Sequence, residues 1–307
     1  MPKDNDGNLV AILSAGAPFH GKNIRTQFQY VSDKHGWGWE IDFLEWRKDG
    51  YESYDLSVYA WCIWIGCFER VFEFMGGIEG PKHIALWIGT DILQHQELIA
   101  KGYPDPFQAA SIHLADAPHL CQEASELTGL PLGYLRSIPQ YQFEPKPIDR
   151  WDSVLTYIPQ GRDDFFHYPW IREIAADYQE LTFHILSRQE DKRIGNIVEH
   201  AHIDGDARNQ LYSDCFALLR PCVHDGVSLT LIEMAQLGRY FIHSDPRIPF
   251  ALPGRTVGEI EFHLDRLLTK KSQQDNSTID YYRHEYSMDA LEGDIVKLKE
   301  HMEKMKQ

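Results

Sequence analysis

Two carboxylates, Asp225 and Glu233, stand eight positions apart in the stretch Asp225-Gly226-Val227-Ser228-Leu229-Thr230-Leu231-Ile232-Glu233. An apolar run, Cys215-Phe216-Ala217-Leu218-Leu219, ends in Arg220-Pro221 just before them. The pattern predicts a strand, a loop carrying an acid, and a helix carrying another. The free backbone N–H groups at such a helix start, with the positive end of its dipole, face an anionic ligand. A loop of this kind suits a nucleotide diphosphate that carries a sugar. The bland alternative stays open: Asp225 caps the helix and Glu233 is a solvated helix residue.

Further candidates follow the same logic. Leu9-Val10-Ala11-Ile12-Leu13 reads as a buried strand that delivers the chain into a small-residue loop. Gly16 and Gly21 in that loop would let it approach phosphates closely, although an ordinary turn explains them as well, and Lys22 adds a cation. Arg162 follows a strand at the carboxyl edge, where open α/β sheets bind ligands; an ion pair with Asp163 or Asp164 is its alternative. Asp91 ends the strand His83–Ile88 and either orients an acceptor or touches the sugar, unless it caps the helix over 92–100. His20, His83 and His113 are acid/base candidates, but a lone histidine is more often structural, and the chain has 15. His200 and His202 complete the histidines of interest.

Strands alternating with helices position these residues. Strands are expected at 39–46, 57–65, 83–88 and 111–114, with helices at 68–75, 92–100 and 118–128, the last closed by Gly129. Segment 137–150, with Pro139, Pro145 and Pro147, lacks periodicity and is the linker candidate. The pattern restarts with strands at 153–158, 181–186, 197–203, 215–219 and 240–243, and helices at 170–178, 207–212 and 229–238. A helical tail from Val257 ends in the charged run 295–306, read as a solvated face. Such alternation means parallel sheets covered on both faces. Two domains are expected, 1–145 and 146–307.

Composition narrows the partners. At 307 residues with 43% hydrophobic and 25% charged residues, the chain is globular and long enough for two α/β domains. A formal net charge of -16 argues against duplex nucleic-acid binding, which needs clustered cations. The five cysteines form no C-x-x-C pair, so neither a zinc site nor a disulfide framework is expected, and a reduced cytoplasm fits. The polar start Met1-Pro2-Lys3-Asp4 is unlike a signal peptide, and no apolar run reaches the ~18 residues of a membrane span. Asn276-Ser277-Thr278 matches a glycosylation sequon by chance in such a setting.

Residues 153–243 resemble the nucleotide-sugar domain of GT-B retaining glycosyltransferases, specifically glycosyltransferase family 4. The family's Glu-x7-Glu motif is matched by Asp225-Gly226-Val227-Ser228-Leu229 and Glu233-Met234-Ala235. Its approach run is matched by Leu211-Tyr212-Ser213-Asp214-Cys215-Phe216-Ala217-Leu218-Leu219-Arg220-Pro221, and Gly238 matches the stretch after the helix. Gly89-Thr90-Asp91 and 117–129 carry a fainter likeness in the first half. The resemblance implies an α/β GT-B architecture: two facing Rossmann-like domains with parallel sheets, a C-terminal helical tail, and the ligand in the cleft. It implies sugar transfer from a nucleotide-sugar donor to an unidentified acceptor with retention, without metal or cofactor, and it leaves peripheral membrane contact open. Asp225 would bind donor-sugar hydroxyls and Glu233 the ribose hydroxyls, while the backbone of Gly226, Val227, Ser228 and Leu229 would face sugar or phosphate. Three departures stand out: Asp225 replaces Glu, Ser228 replaces Gly, and His167 stands where the diphosphate-clamping Lys is expected after Arg162. A noncatalytic nucleotide-sugar binder and a sugar-nucleotide epimerase are the alternatives.

Overall fold

The computed structural model describes residues 8–14, 18–45, 54–102, 107–201, 203 and 205–305. Six strands form the first sheet: β1 (Leu9–Ser14), β2 (Glu40–Glu45), β3 (Trp61–Ile65), β4 (Lys82–Trp87), β5 (Ile112–Ala115) and β6 (Leu132–Tyr134). All are parallel, in the order β2-β1-β3-β4-β5-β6. Unbroken apolar runs suit strands covered on both faces, and every residue of β3 is buried. The accompanying helices are α1 (Pro18–His35), α2 (Glu69–Gly76), α3 (Thr90–Ala100) and α4 (Pro118–Thr128).

Helix α1 is the main departure from expectation, because Gly21 and Lys22 lie inside it and not in a loop. Gly21 is there for packing. A Cβ on it would fall 2.3 Å from the Phe43 ring and 3.0 Å from the Ser14 Cβ, so only glycine lets the helix seat against β1 and β2. Helix α4 follows expectation: Pro118 opens it and Gly129, at φ 67°, closes it in the left-handed region.

The second sheet contains β7 (Ser153–Tyr157), β8 (Thr182–Leu186), β9 (Lys192–Ile194), β10 (Ile197–Glu199), β11 (Ala217–Arg220), β12 (Tyr240–His243) and β13 (Leu252–Pro253). Its order is β13-β12-β11-β7-β8-β10-β9, parallel except for the β9–β10 hairpin at one edge. Helices α5 (Tyr168–Asp177), α6 (Gly205–Asp214), α7 (Leu229–Gln236), α8 (Val257–Lys270) and α9 (Asn276–Glu285) accompany it. Its core includes Ile171, Phe183, Ile185, Leu219 and Ile242. From β7 the chain proceeds to β8 on one side and later to β11 on the other. The carboxyl ends of β7 and β11 therefore flank a topological switch point, where open α/β sheets place their ligands.

The chain forms two compact units, Tyr141–Ser287 and Met1–Gln140 with Met288–Gln307. The tail expected to lie wholly in a 146–307 domain is thus divided, and α10 (Met288–Lys304) belongs with the first unit. Its charged sequence is not one solvated face: Leu291, Ile295, Leu298 and Met302 are buried. Asp294 accepts the Arg136 Nε at 2.6 Å, and Glu292 takes Lys34 at 2.6 Å and His35 at 2.7 Å. Among the described residues, no helix is long and apolar enough to cross a membrane.

Candidate functional site

Strand β11 carries one charged residue, Arg220, to the carboxyl edge of its sheet. The guanidinium is buried, with the Phe166 ring centroid at 5.0 Å and that of Tyr157 at 5.6 Å. Its Nε donates to Asp225 Oδ2 at 2.6 Å. A second polar group approaches the same oxygen from β12. His243 is fully buried, and its Nδ1 accepts the Asp245 N–H at 2.9 Å, which leaves the ring proton on Nε2, 3.7 Å from Asp225 Oδ2. Burial pushes the Asp225 carboxyl up, but Arg220 and His243 outweigh it and hold the group far below the usual carboxylate range. Asp225 is therefore permanently ionised at neutral pH, a fixed acceptor at the strand ends.

Asp225 does not cap α7. Ser228 does, its Oγ accepting the Leu231 N–H at 3.2 Å. Gly226 and buried Val227 bridge the acid to the cap, and Leu229 is the first helical residue. The loop thus presents a carboxylate beside the positive end of a helix.

The neighbouring β7–α5 loop is tied to this one, for Val223 N–H donates to the Phe165 carbonyl at 2.9 Å. Arg162 stands exposed in that loop, its guanidinium 4.3 Å from the Phe165 ring centroid. The carboxylate expected as its alternative partner, Asp163, pairs instead with Arg188 at 2.7 Å. Arg188 also lies 3.3 Å from Glu199, so two acids already neutralise this buried cation. His167, at φ 47°, stacks on Trp170 with centroids 4.0 Å apart, and burial lowers its pKa. It is no substitute for a lysine at neutral pH. A cavity of about 580 Å³ opens beside this loop pair, lined among others by His167, Trp170, Cys222, His224 and Arg247.

Glu233 lies one turn beyond Leu229 on α7, and it is buried, not solvated. Its carboxylate accepts the Tyr212 hydroxyl and lies 3.9 Å from Arg208 Nη2, both residues coming from α6. Burial pushes its pKa up to about 7, against the opposing pull of Arg208 and Tyr212.

The first-unit candidates fare differently. Gly16 falls outside the described residues. Asp91 is inside the fold, and this corrects its assignment to catalysis. Its side chain accepts the N–H groups of Cys67 at 2.8 Å, Ile88 at 3.2 Å and Ile92 at 3.1 Å, stapling the α2 entry loop to the α3 entry. Nor does it cap a helix at 92, since α3 starts at Thr90 with Gly89 as the cap. His113 accepts the Trp87 indole N–H at 3.2 Å and His83 that of Trp64 at 3.1 Å, both within the core. His20 is 3.0 Å from Ser137 Oγ, with its pKa lowered by burial to about 4.

Cys222, Asp225 and His243 offer three ligand atoms within 4.8 Å of one another. These atoms already have protein partners: Arg220 sits on Asp225, and the Asp245 N–H, donated to His243 Nδ1, places the ring proton on Nε2.

No protein-family model and no curated protein matches this sequence. Solved structures do. Sucrose-phosphate synthase from Thermosynechococcus elongatus aligns over 96% of this chain and 99% of its own, with 10% identity and a TM-score of 0.69. Anabaena Alr3699/HepE, in complex with UDP and glucose, aligns over 95% and 99%, with 9% identity and a TM-score of 0.62. The fold is GT-B. TarM shares it at a TM-score of 0.57 and 9% identity, over 81% of this chain, which spans only 56% of TarM. At such identities the likeness is one of fold, and function must be argued from the site. Arg220, His243, Arg208 and Tyr212 carry no spacing that marks them as site residues in the sequence; a charged residue closing an otherwise apolar strand, as Arg220 and His243 do, is the one available signal.

Proposed function

We propose that this GT-B chain is a glycosyltransferase that takes a nucleotide-sugar donor and transfers the sugar with retention, in the manner of glycosyltransferase family 4, without a metal. The observation that carries it is the β11–α7 connection, where an ionised Asp225 and a buried Glu233 flank a helix start at the topological switch point. Asp225 accepts donor-sugar hydroxyls, Glu233 accepts the ribose hydroxyls, and the amides from Gly226 to Leu229 face the diphosphate or sugar. Arg162, an exposed cation of the β7–α5 loop, would face the diphosphate. Fixed dipoles and cations of this kind stabilise a departing diphosphate when they are preorganised. A cytoplasmic site of action belongs to the same reading.

A second reading, a nucleotide-sugar binder without turnover, is favoured by one observation. The β7–α5 loop holds a neutral stacked His167 where a clamping cation is expected, and Arg188 is already paired. Incubation with a panel of nucleotide sugars separates the two. Nucleoside diphosphate release supports the transferase, and thermal stabilisation without release supports the binder. Neither effect with any donor would sink both.

A further inference from the structure

We propose that Arg208 and Tyr212 of α6 are positioning residues that orient the Glu233 carboxylate toward the ligand. This deepens, and rests on, the reading of Glu233 as a donor-binding acid. The two residues are one helical turn apart on α6 and therefore share a face. The Arg208 guanidinium is 5.7 Å from the Tyr212 ring centroid, and its Nη2 is 3.9 Å from Glu233 Oε1. The Tyr212 hydroxyl donates to the Glu233 carboxylate and itself accepts from Thr230, one turn earlier on α7. Arg208 Nε is buried with no hydrogen-bond partner among the described residues.

Direction follows from the chemistry. A ligand hydroxyl donates more strongly to an ionised carboxylate than to the neutral acid, which keeps only part of its acceptor capacity. Burial alone would neutralise Glu233 at neutral pH, and the charged and titratable groups facing it, Arg208 and Tyr212, pull the other way. With its pKa near 7, Glu233 is a poor acceptor below that pH and a good one above it. Donor affinity should therefore rise as pH increases through 7 and then level off.

The test follows the Glu233 side-chain carbon by NMR titration in the full-length chain, with Glu233→Gln assigning the resonance. UDP-glucose binding is measured by calorimetry from pH 5.5 to 9, since its diphosphate does not titrate there. We expect Arg208→Met to raise the Glu233 midpoint by about one pH unit and Arg208→Lys to restore most of it. UDP-glucose affinity of Arg208→Met should fall roughly fivefold at pH 7 and return to the wild-type value at pH 9. A purely structural arginine would lower the melting temperature without moving either midpoint. An unmoved midpoint alongside intact UDP-glucose binding would overturn the α6 role alone. A moved midpoint with no UDP-glucose binding by any variant would overturn the donor reading, and the proposal with it.

Discussion

Asp225 owes its charge to Arg220 and His243, so the pair is a stability element as well as a site. Breaking a buried ion pair by removing one partner costs about 3–5 kcal/mol, because the other charge is left uncompensated. Arg220→Met should therefore lower the urea midpoint by a corresponding amount, while the double change Arg220→Met with Asp225→Leu should recover much of it. The pH dependence has a definite sign. The folded Asp225 pKa lies below its unfolded value near 3.8, so its contribution is full above that value and is lost as pH falls below it. Acid unfolding of wild type between roughly pH 4 and 2 should flatten in Asp225→Asn. Glu233 works in the opposite sense. Its raised pKa makes the folded state hold a proton that the unfolded chain has lost between 4.5 and about 7, so Glu233→Gln should remove a loss of stability across that window. The placement of both acids around a helix start was legible from their spacing. Their environments were not, because Arg220, His243, Arg208 and Tyr212 come from three other elements, and one-dimensional spacing says nothing of which side chains meet.

At the scale of elements, apolar runs and cap chemistry decided what could be read. Helix α4 was legible at both ends because Pro118 and Gly129 each do a job that few residues can. The strand–loop–helix order around Asp225 was legible for the same reason, although the cap is Ser228 and not the acid. Replacing Ser228 with Ala should cost about 1 kcal/mol, read as a shift in the urea midpoint. Helix α1 was missed because glycine and lysine at its start look like a loop, whereas Gly21 is selected by a neighbour far away in sequence, Phe43. Gly21→Ala should destabilise by about 1–3 kcal/mol through overpacking, despite the better helix propensity of alanine. Strands β6 and β9 escaped notice because three-residue edge strands carry too little pattern. Asp91 looked catalytic because it follows a strand, and only its burial among Cys67, Ile88 and Ile92 shows the staple that it is.

At the scale of the whole molecule, the alternation of strands and helices was enough to anticipate two parallel-sheet units. It was not enough to show that the last helix crosses back to the first. That return depends on Asp294 meeting Arg136 and Glu292 meeting Lys34 and His35, which no local pattern encodes. Ending the chain after Ser287 should speed amide exchange in β5 and β6 and leave β7 and β11 protected. A GT-B fold is compatible with binding alone, so the central claim rests on turnover. Nucleoside diphosphate release from a nucleotide sugar, compared among wild type, Asp225→Asn and Glu233→Gln, tests it most directly. The account predicts release by wild type and a drop of about 10²-fold or more in each variant at pH 7. Equal rates in all three proteins would contradict the site assignment, and the absence of release by wild type with any donor would contradict catalysis.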